Sequence, residues 1–166
     1  MTTASRPSYL IRGAEPGDLD AIAGFEIEIA QASFGAEAIT DPALHRKRVS
    51  GALGRPGEVT LIAAAREAPG TLLGWAWMSA RTNSLTQARY GNFRSLAVAD
   101  GPDRSLIGEL LLAAVLRAAD DAGLTQLTGK VHAGNLGMRA LYRKFGFEAT
   151  HVTMERHRRA GQDPPS

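Results

Sequence analysis

Val131-His132-Ala133-Gly134-Asn135, then Leu136 through Lys144, then Phe145-Gly146-Phe147, is the most informative run in this 166-residue chain. Leu124 to Val131 reads as a strand, Asn135 stands where a helix begins, and Leu136 to Lys144 has helical spacing. Asparagine suits that start because its side-chain oxygen can accept from the orphan amides of the first turn. Gly146 stops the helix, and Phe147 to Met154 reads as a last strand. Asn135 and Tyr142 are seven residues apart. That is about two helical turns, so both project from one side of the helix.

Outward from this run, Ile107 to Ala119 is apolar nearly all round, as a buried helix would be, and ends at Gly123. Asn92 to Ala99 is a strand with Phe93, Leu96 and Val98 apolar. Val59 to Ala65 and Leu72 to Ala80 are β-type runs, joined as a hairpin by Glu67-Ala68-Pro69-Gly70. Thr40-Asp41-Pro42 starts a helix that passes through Leu44, Val49 and Leu53 and stops at Gly54-Arg55-Pro56-Gly57. Leu19, Ile22, Phe25, Ile29 and Ala30 recur at helical spacing behind Asp18, a capping residue with Pro16 and Gly17 before it. Tyr9 to Arg12 is a short strand. The order β–α–α–β–β–β–α–β–α–β predicts an α+β fold in three layers: a mixed, largely antiparallel sheet with helices on both faces.

Hydrophobic residues make up 44% and charged residues 22%, which excludes a disordered or fibrous chain. The length predicts a single domain over 1–166, with a core at about 9–155 and flexible tails at 1–8 and 157–166. No cysteine is present, so disulfides, thiolate metal sites and cysteine nucleophiles are excluded, and no metal is expected. Met1 to Pro7 lacks the apolar run of a secretory signal, and no stretch is long and apolar enough to span a membrane. A cytoplasmic protein without membrane contact is expected. The net charge is only +2, with bases gathered at His45-Arg46-Lys47-Arg48 and Arg156-His157-Arg158-Arg159. Each cluster is either a solvated surface or a contact patch for a nucleic acid or acidic partner.

Val131-x-x-x-Asn135 followed by Ala140-Leu141-Tyr142-Arg143-Lys144-Phe145-Gly146-Phe147 resembles the C-terminal acyl-thioester motif of the GCN5-related N-acetyltransferase (GNAT) superfamily. Ile11-Arg12 with Asp18-Leu19, and the helix–helix–hairpin order, extend the resemblance over about residues 9–155. It implies a sheet splayed at its centre, with the pantetheine arm of acetyl-CoA in the gap, paired with strand backbone near Leu96 and Val98, where a bulge is expected. It also implies donor contacts from Arg104, Ile107, Gly108 and Asn135, and gives Tyr142 the role of general acid toward the departing thiolate. A phenol suits that proton transfer. Homodimerisation through the last strands is a further expectation from the resemblance.

One segment departs from the superfamily pattern. The turn that cradles the coenzyme A pyrophosphate usually carries Arg or Gln, two variable residues, Gly, one variable residue, then Gly or Ala. Here it reads Asp103-Arg104-Ser105-Leu106-Ile107-Gly108, so only the last glycine remains. A carboxylate about 4 Å from a phosphate costs roughly 1 kcal/mol in water-like surroundings and about 4 kcal/mol at an effective dielectric of 20. Arg104 can offset part of this. Asp100 or Asp103 can also cap the helix and occupy the amides a phosphate needs.

Amine attack needs a proton acceptor, and the strand ending at Val98 carries Phe93-Arg94-Ser95 with no carboxylate. Candidate bases are Glu28 and His132, acting through water. Glu26, Phe34, Arg81, Asn83 and Arg94 are candidates for the acceptor side, with Trp75, Trp77 and Tyr90 near them. Arg81, Arg89 and Arg94 suit an acceptor carboxylate or phosphate. The leading expectation is an N-acyltransferase acting on a small-molecule amine by direct attack in a ternary complex. The alternatives are the same fold fed by an acyl carrier protein or charged tRNA, and a non-catalytic ligand-sensing domain.

Overall fold

The computed structural model describes residues 8–158 and Gly161. The chain forms two compact units, one ending at His132 and the other beginning at Ala133. The first unit runs β1 (Tyr9–Gly13), α1 (Leu19–Phe34), α2 (Pro42–Ser50), β2 (Glu58–Ala65), β3 (Ala68–Thr82), β4 (Arg89–Val98), α3 (Arg104–Asp121) and β5 (Leu127–Gly129). These make a mixed five-stranded sheet in the order β1-β2-β3-β4-β5. The first four strands pair antiparallel, and β5 runs parallel to β4.

Alternation along β3 divides the core between two faces. Trp75 and Trp77 pack with Ile22 and Phe25 of α1 and Val49 of α2. On the other face, a Cβ added at Gly74 would meet Leu111 Cδ1 at 2.7 Å and Ile107 Cγ2 at 3.3 Å, so α3 lies close over β3 there. Helices thus cover both faces, as the element order implies. Ile107, Leu111, Leu112 and Val115 are all buried. Each such side chain contributes about 1.5–3 kcal/mol by leaving water.

Two irregularities of β4 shape the cavity beside it. Trp77 pairs with Ser95 while Met78 pairs with Phe93, which leaves Arg94 as the extra residue of a β-bulge. β5 pairs only with Gly91, Asn92 and Phe93, so β4 continues to Val98 with no β5 partner. The sheet is splayed there.

Several boundaries differ from the sequence-based expectation. The β2–β3 turn is Arg66-Glu67, and Ala68, Pro69 and Gly70 lie within β3, where Ala68 pairs with Ala65 of β2 and Pro69 and Gly70 fall at a register shift with no partner in the β4 ladder. Proline is tolerated where one side of the strand lacks a ladder. The expected strand from Leu124 to Val131 shrinks to Leu127–Gly129. Phe147 to Met154 forms no strand: no ladder among the described residues reaches it, and β propensity alone does not hold an extended segment. Asp18 lies in the 3-10 turn Pro16–Asp18 and makes a reciprocal capping box with Glu15 rather than a side-chain cap for α1. Asp41 does cap α2, accepting from the Ala43 amide at 3.0 Å. The tails at 1–7, 159–160 and 162–166, including Arg159, lie outside the described residues.

The second unit contains α4 (Leu136–Lys144), with the bounds the spacing predicts. Asn135 caps it by accepting from the Met138 amide at 3.1 Å. Its C-terminus closes in a Schellman motif: Gly146 N–H donates to Arg143 O at 3.0 Å and Phe147 N–H to Tyr142 O at 3.0 Å. Gly146 sits at φ +83°, where a Cβ is disfavoured. The apolar contact that accompanies this motif is Tyr142 against Phe147, with ring centroids 4.7 Å apart.

Candidate active site

A cavity of about 510 Å³ opens beside the β4 bulge, on the α1 side of the sheet. α1 lines it with Glu26, Ile29, Ala30, Ser33 and Phe34, at the i, i+3, i+4 spacing of one helix face. Ile39, His45 and Arg48 close a second side. The floor is Trp77 with Asn92, Phe93, Arg94 and Ser95, and Lys130 stands just past β5. Phe34 and Ile39 keep large exposed apolar surfaces at 67% and 55%.

A buried polar network builds the floor. Glu26 is 3% exposed, yet both its oxygens are satisfied, by Arg48 Nη2 at 2.6 Å and by Trp75 Nε1 at 2.7 Å. Glu58 Oε2 accepts from Trp77 Nε1 at 2.9 Å and from Ser79 Oγ at 2.5 Å. The Arg94 guanidinium lies 3.9 Å from the Trp77 ring centroid, and that of Arg48 lies 5.7 Å from it. Burial, and the nearby charges of Arg48 and Arg81, push the Arg94 pKa down. His45 is buried with Nε2 2.8 Å from Ile39 O, which ties α2 to the segment before it.

The candidate residues named from sequence do not all meet. Glu26, Phe34 and Arg94 line the cavity. Glu28 is exposed and outside it, because two residues along a helix is about 200° around the axis. Asn83 is spent on its own loop: its Oδ1 accepts from Leu85 N at 2.9 Å and Thr86 N at 3.3 Å. Arg81 is exposed and does not line the cavity, though its charge reaches Arg94. His132 is exposed and also outside the cavity lining.

The α3 entrance also differs from the expected arrangement. Neither Asp100 nor Asp103 caps the helix with its side chain. Asp103 instead accepts a short hydrogen bond from the Tyr9 hydroxyl on β1. Asp100 pairs with Arg104 at 2.9 Å in an exposed i,i+4 bridge. The Ile107 amide donates to Asp103 O at 2.9 Å within the helix, and Ile107 and Gly108 are buried. Those two residues therefore serve the core. Helix geometry leaves the amides of Ser105 and Leu106 without intrahelical acceptors, and these fit an anionic donor better. Leu96 and Val98 lie on the β4 segment beyond its pairing with β5.

Sequence reading missed Arg48 as a cavity residue because it sits in a run of bases. That run is absorbed locally: Arg46 pairs with Asp20 at 2.5 Å and Arg48 with Glu26. The available signal was Glu26, a carboxylate on the otherwise apolar stripe of α1. Tyr142 is buried, and burial raises its pKa to about 12.

The sequence profile of the Acetyltransferase (GNAT) family matches residues 25–147. No curated protein matches this sequence. Among solved structures, a single-residue mutant of the BH1408 protein from Bacillus halodurans has a TM-score of 0.79 at 17% identity, covering 89% of this chain and 98% of that one. An aminoglycoside N-acetyltransferase, AAC(6')-Iy, in complex with CoA, has a TM-score of 0.72 at 17% identity, covering 96% of this chain and 100% of that one. A transcriptional regulator from Bacillus halodurans C-125 has a TM-score of 0.71 at 15% identity, covering 90% of this chain and 99% of that one. These likenesses concern the fold.

Proposed function

Because this chain belongs to the Acetyltransferase (GNAT) family, we propose that it is an N-acyltransferase, moving an acetyl or related acyl group from a coenzyme A thioester to a primary amine of a small molecule. The observation that carries this reading is the splay: β4 runs on from Arg94 to Val98 without a β5 partner, and the cavity opens at that point. The free edge offers backbone groups to an extended amide-bearing arm, as a strand would. The amides of Ser105 and Leu106 and the Arg104 guanidinium suit the pyrophosphate. Arg104 can turn to it at little cost, since an exposed ion pair such as that with Asp100 is worth little. The family profile spans both compact units, which supports one acyltransferase domain with its core at about 9–155.

Coenzyme A supplies the activated acyl carbon as a thioester. The chain's own part is to hold an amine in the cavity against that carbon and to manage two protons. As the C–N bond forms and the C–S bond breaks, the amine must lose a proton and the sulfur must gain one. Tyr142 supplies the second: with a pKa of about 12 it is protonated at any working pH and can only begin the cycle as a donor. For the first proton, Glu26 is committed to Arg48 and Trp75, and Glu28 lies outside the cavity. His132 is exposed and outside the lining as Glu28 is, so we assign it that role on the chemistry of its imidazole and only through a water relay. No helix among the described residues is long and apolar enough to cross a membrane.

Acetyl-CoA titrated by calorimetry, with Asp103→Arg as comparator, tests the donor. Micromolar binding by the unaltered chain supports coenzyme A. Absence of binding that Asp103→Arg restores favours an acyl carrier protein or charged tRNA, the second reading that the carboxylate at Asp103 keeps open.

A further inference from the structure

Arg94 is a half-buried cation lining the cavity, and among the described residues no carboxylate lies within ion-pair distance of it. Arg48, on another side of the same cavity, differs: its charge is met by Glu26 at 2.6 Å. Glu58, whose charge reaches Arg94, gives Oε2 to Trp77 and Ser79. The bulge leaves two consecutive residues, Arg94 and Ser95, on this face. Without it, the alternation that puts Phe93 opposite Met78 would have put Ser95 there too, facing α3. Instead Ser95 pairs with Trp77, and Arg94 lies over the Trp77 ring.

A guanidinium held 3.9 Å over an indole centroid satisfies none of its N–H donors there, and its N–H edge matches a planar carboxylate or a phosphate with two parallel hydrogen bonds. Lys130, exposed at the same cavity, adds a second cation. Glu58 and Glu26 act on Arg94 only from beyond ion-pair distance and leave its desolvation cost in excess, so an anion that enters the cavity relieves a cost already present. We propose that Arg94 is a specificity-determining residue that receives an anionic oxygen group, carboxylate or phosphate, on the amine acceptor. This rests on the acyl-transfer reading and narrows its substrate class to anionic amines, such as amino acids or phosphorylated amines.

The test compares acceptors with and without the anionic group: leucine against leucinamide, and O-phosphoethanolamine against ethanolamine. Thiol release from acetyl-CoA is read for the unaltered chain, Arg94→Gln and Arg94→Lys, together with calorimetric binding of each acceptor. The expected result is a preference of about 10- to 100-fold for at least one anionic member. It should be lost in Arg94→Gln through the acceptor KM, and partly kept in Arg94→Lys, with the KM for acetyl-CoA unmoved. The arm that shows the preference tells carboxylate from phosphate. Acetylation with no charge preference, or with a preference that Arg94→Gln leaves intact, overturns the inference while acyl transfer stands. Arg94-dependent binding of an anionic amine without any thiol release upholds the inference and sinks the acyl-transfer reading.

Discussion

The hydroxyl of Tyr9 on β1 donates a hydrogen bond to the carboxylate of Asp103, 94 residues later, at the entrance to α3. An aspartate at a helix entrance ordinarily turns its carboxylate onto the first-turn amides. Tyr9 gives this one another partner, and the bond raises the tyrosine's own pKa.

The pair has a consequence for donor binding. In Tyr9→Phe, Asp103 is released to compete for the amides of Ser105 and Leu106, and the Kd for acetyl-CoA should rise about fivefold. Asp103→Asn should lower the Kd, and Tyr9→Phe should then have little effect in the Asp103→Asn background. Calorimetry on the four proteins of this cycle measures the coupling. Equal Tyr9→Phe effects in both backgrounds would refute it.

Asp18 links stability to pH. Arg12 donates to both its oxygens, at 2.7 and 3.0 Å, and the Glu15 amide donates at 2.8 Å. The Arg12 hydrogen bonds, together with that amide, hold the carboxyl below its ordinary pKa. A depressed folded-state pKa means the stabilisation is complete above the ordinary value, near about 4, and is lost as pH falls through the lower one. Asp18→Asn should cost about 1.5–3 kcal/mol at neutral pH, and less as the pH is lowered through that window. Denaturant melts at stepped pH would show it, and parallel curves for the two proteins would not fit.

Glu26 is a positioning residue. Glu26→Ala leaves Trp75 Nε1 buried without an acceptor and Arg48 without its carboxylate, which should cost about 2–4 kcal/mol. Glu26→Gln keeps an acceptor for the indole and should cost less. If Glu26 were instead the general base, Glu26→Gln would abolish turnover with the fold intact. A shifted acceptor KM with most of kcat retained is the expected outcome.

Gly146 tests the Schellman closure that places Tyr142 against Phe147. At φ +83°, Gly146→Ala should cost roughly 1–2 kcal/mol. It should also bring the Tyr142 pKa back toward the ordinary tyrosine value as the ring loosens from burial. An ultraviolet titration of the phenol reads the second effect, and an unmoved value near 12 would argue that the motif does not hold the ring.

What is legible in the sequence is mostly local. The bounds of α4, its Asn135 cap and its Gly146 stop follow from residues within a few positions of one another. So do the α2 cap at Asp41 and the apolar face of α1. Phe147 to Met154 has a strand's pattern without being one, because extended segments are decided by a partner edge, which pattern alone does not supply. Arg48 with Glu26, Arg94 over Trp77, and Tyr9 with Asp103 join residues 22, 17 and 94 positions apart. No local periodicity marks such pairs. The family resemblance implies a bulge near this strand end, but its consequence, two consecutive residues turned to the cavity face, needs the register of β3 and β4.

The most direct measurement is thiol release from acetyl-CoA over a panel of primary amines, by the unaltered chain and by Tyr142→Phe. Release that depends on the amine is the predicted result. The kcat should be about 100-fold lower in Tyr142→Phe, with acetyl-CoA binding unchanged. Acetyl-CoA that binds but is not cleaved with any amine, or turnover indifferent to Tyr142→Phe, would contradict acyl transfer with Tyr142 as its acid.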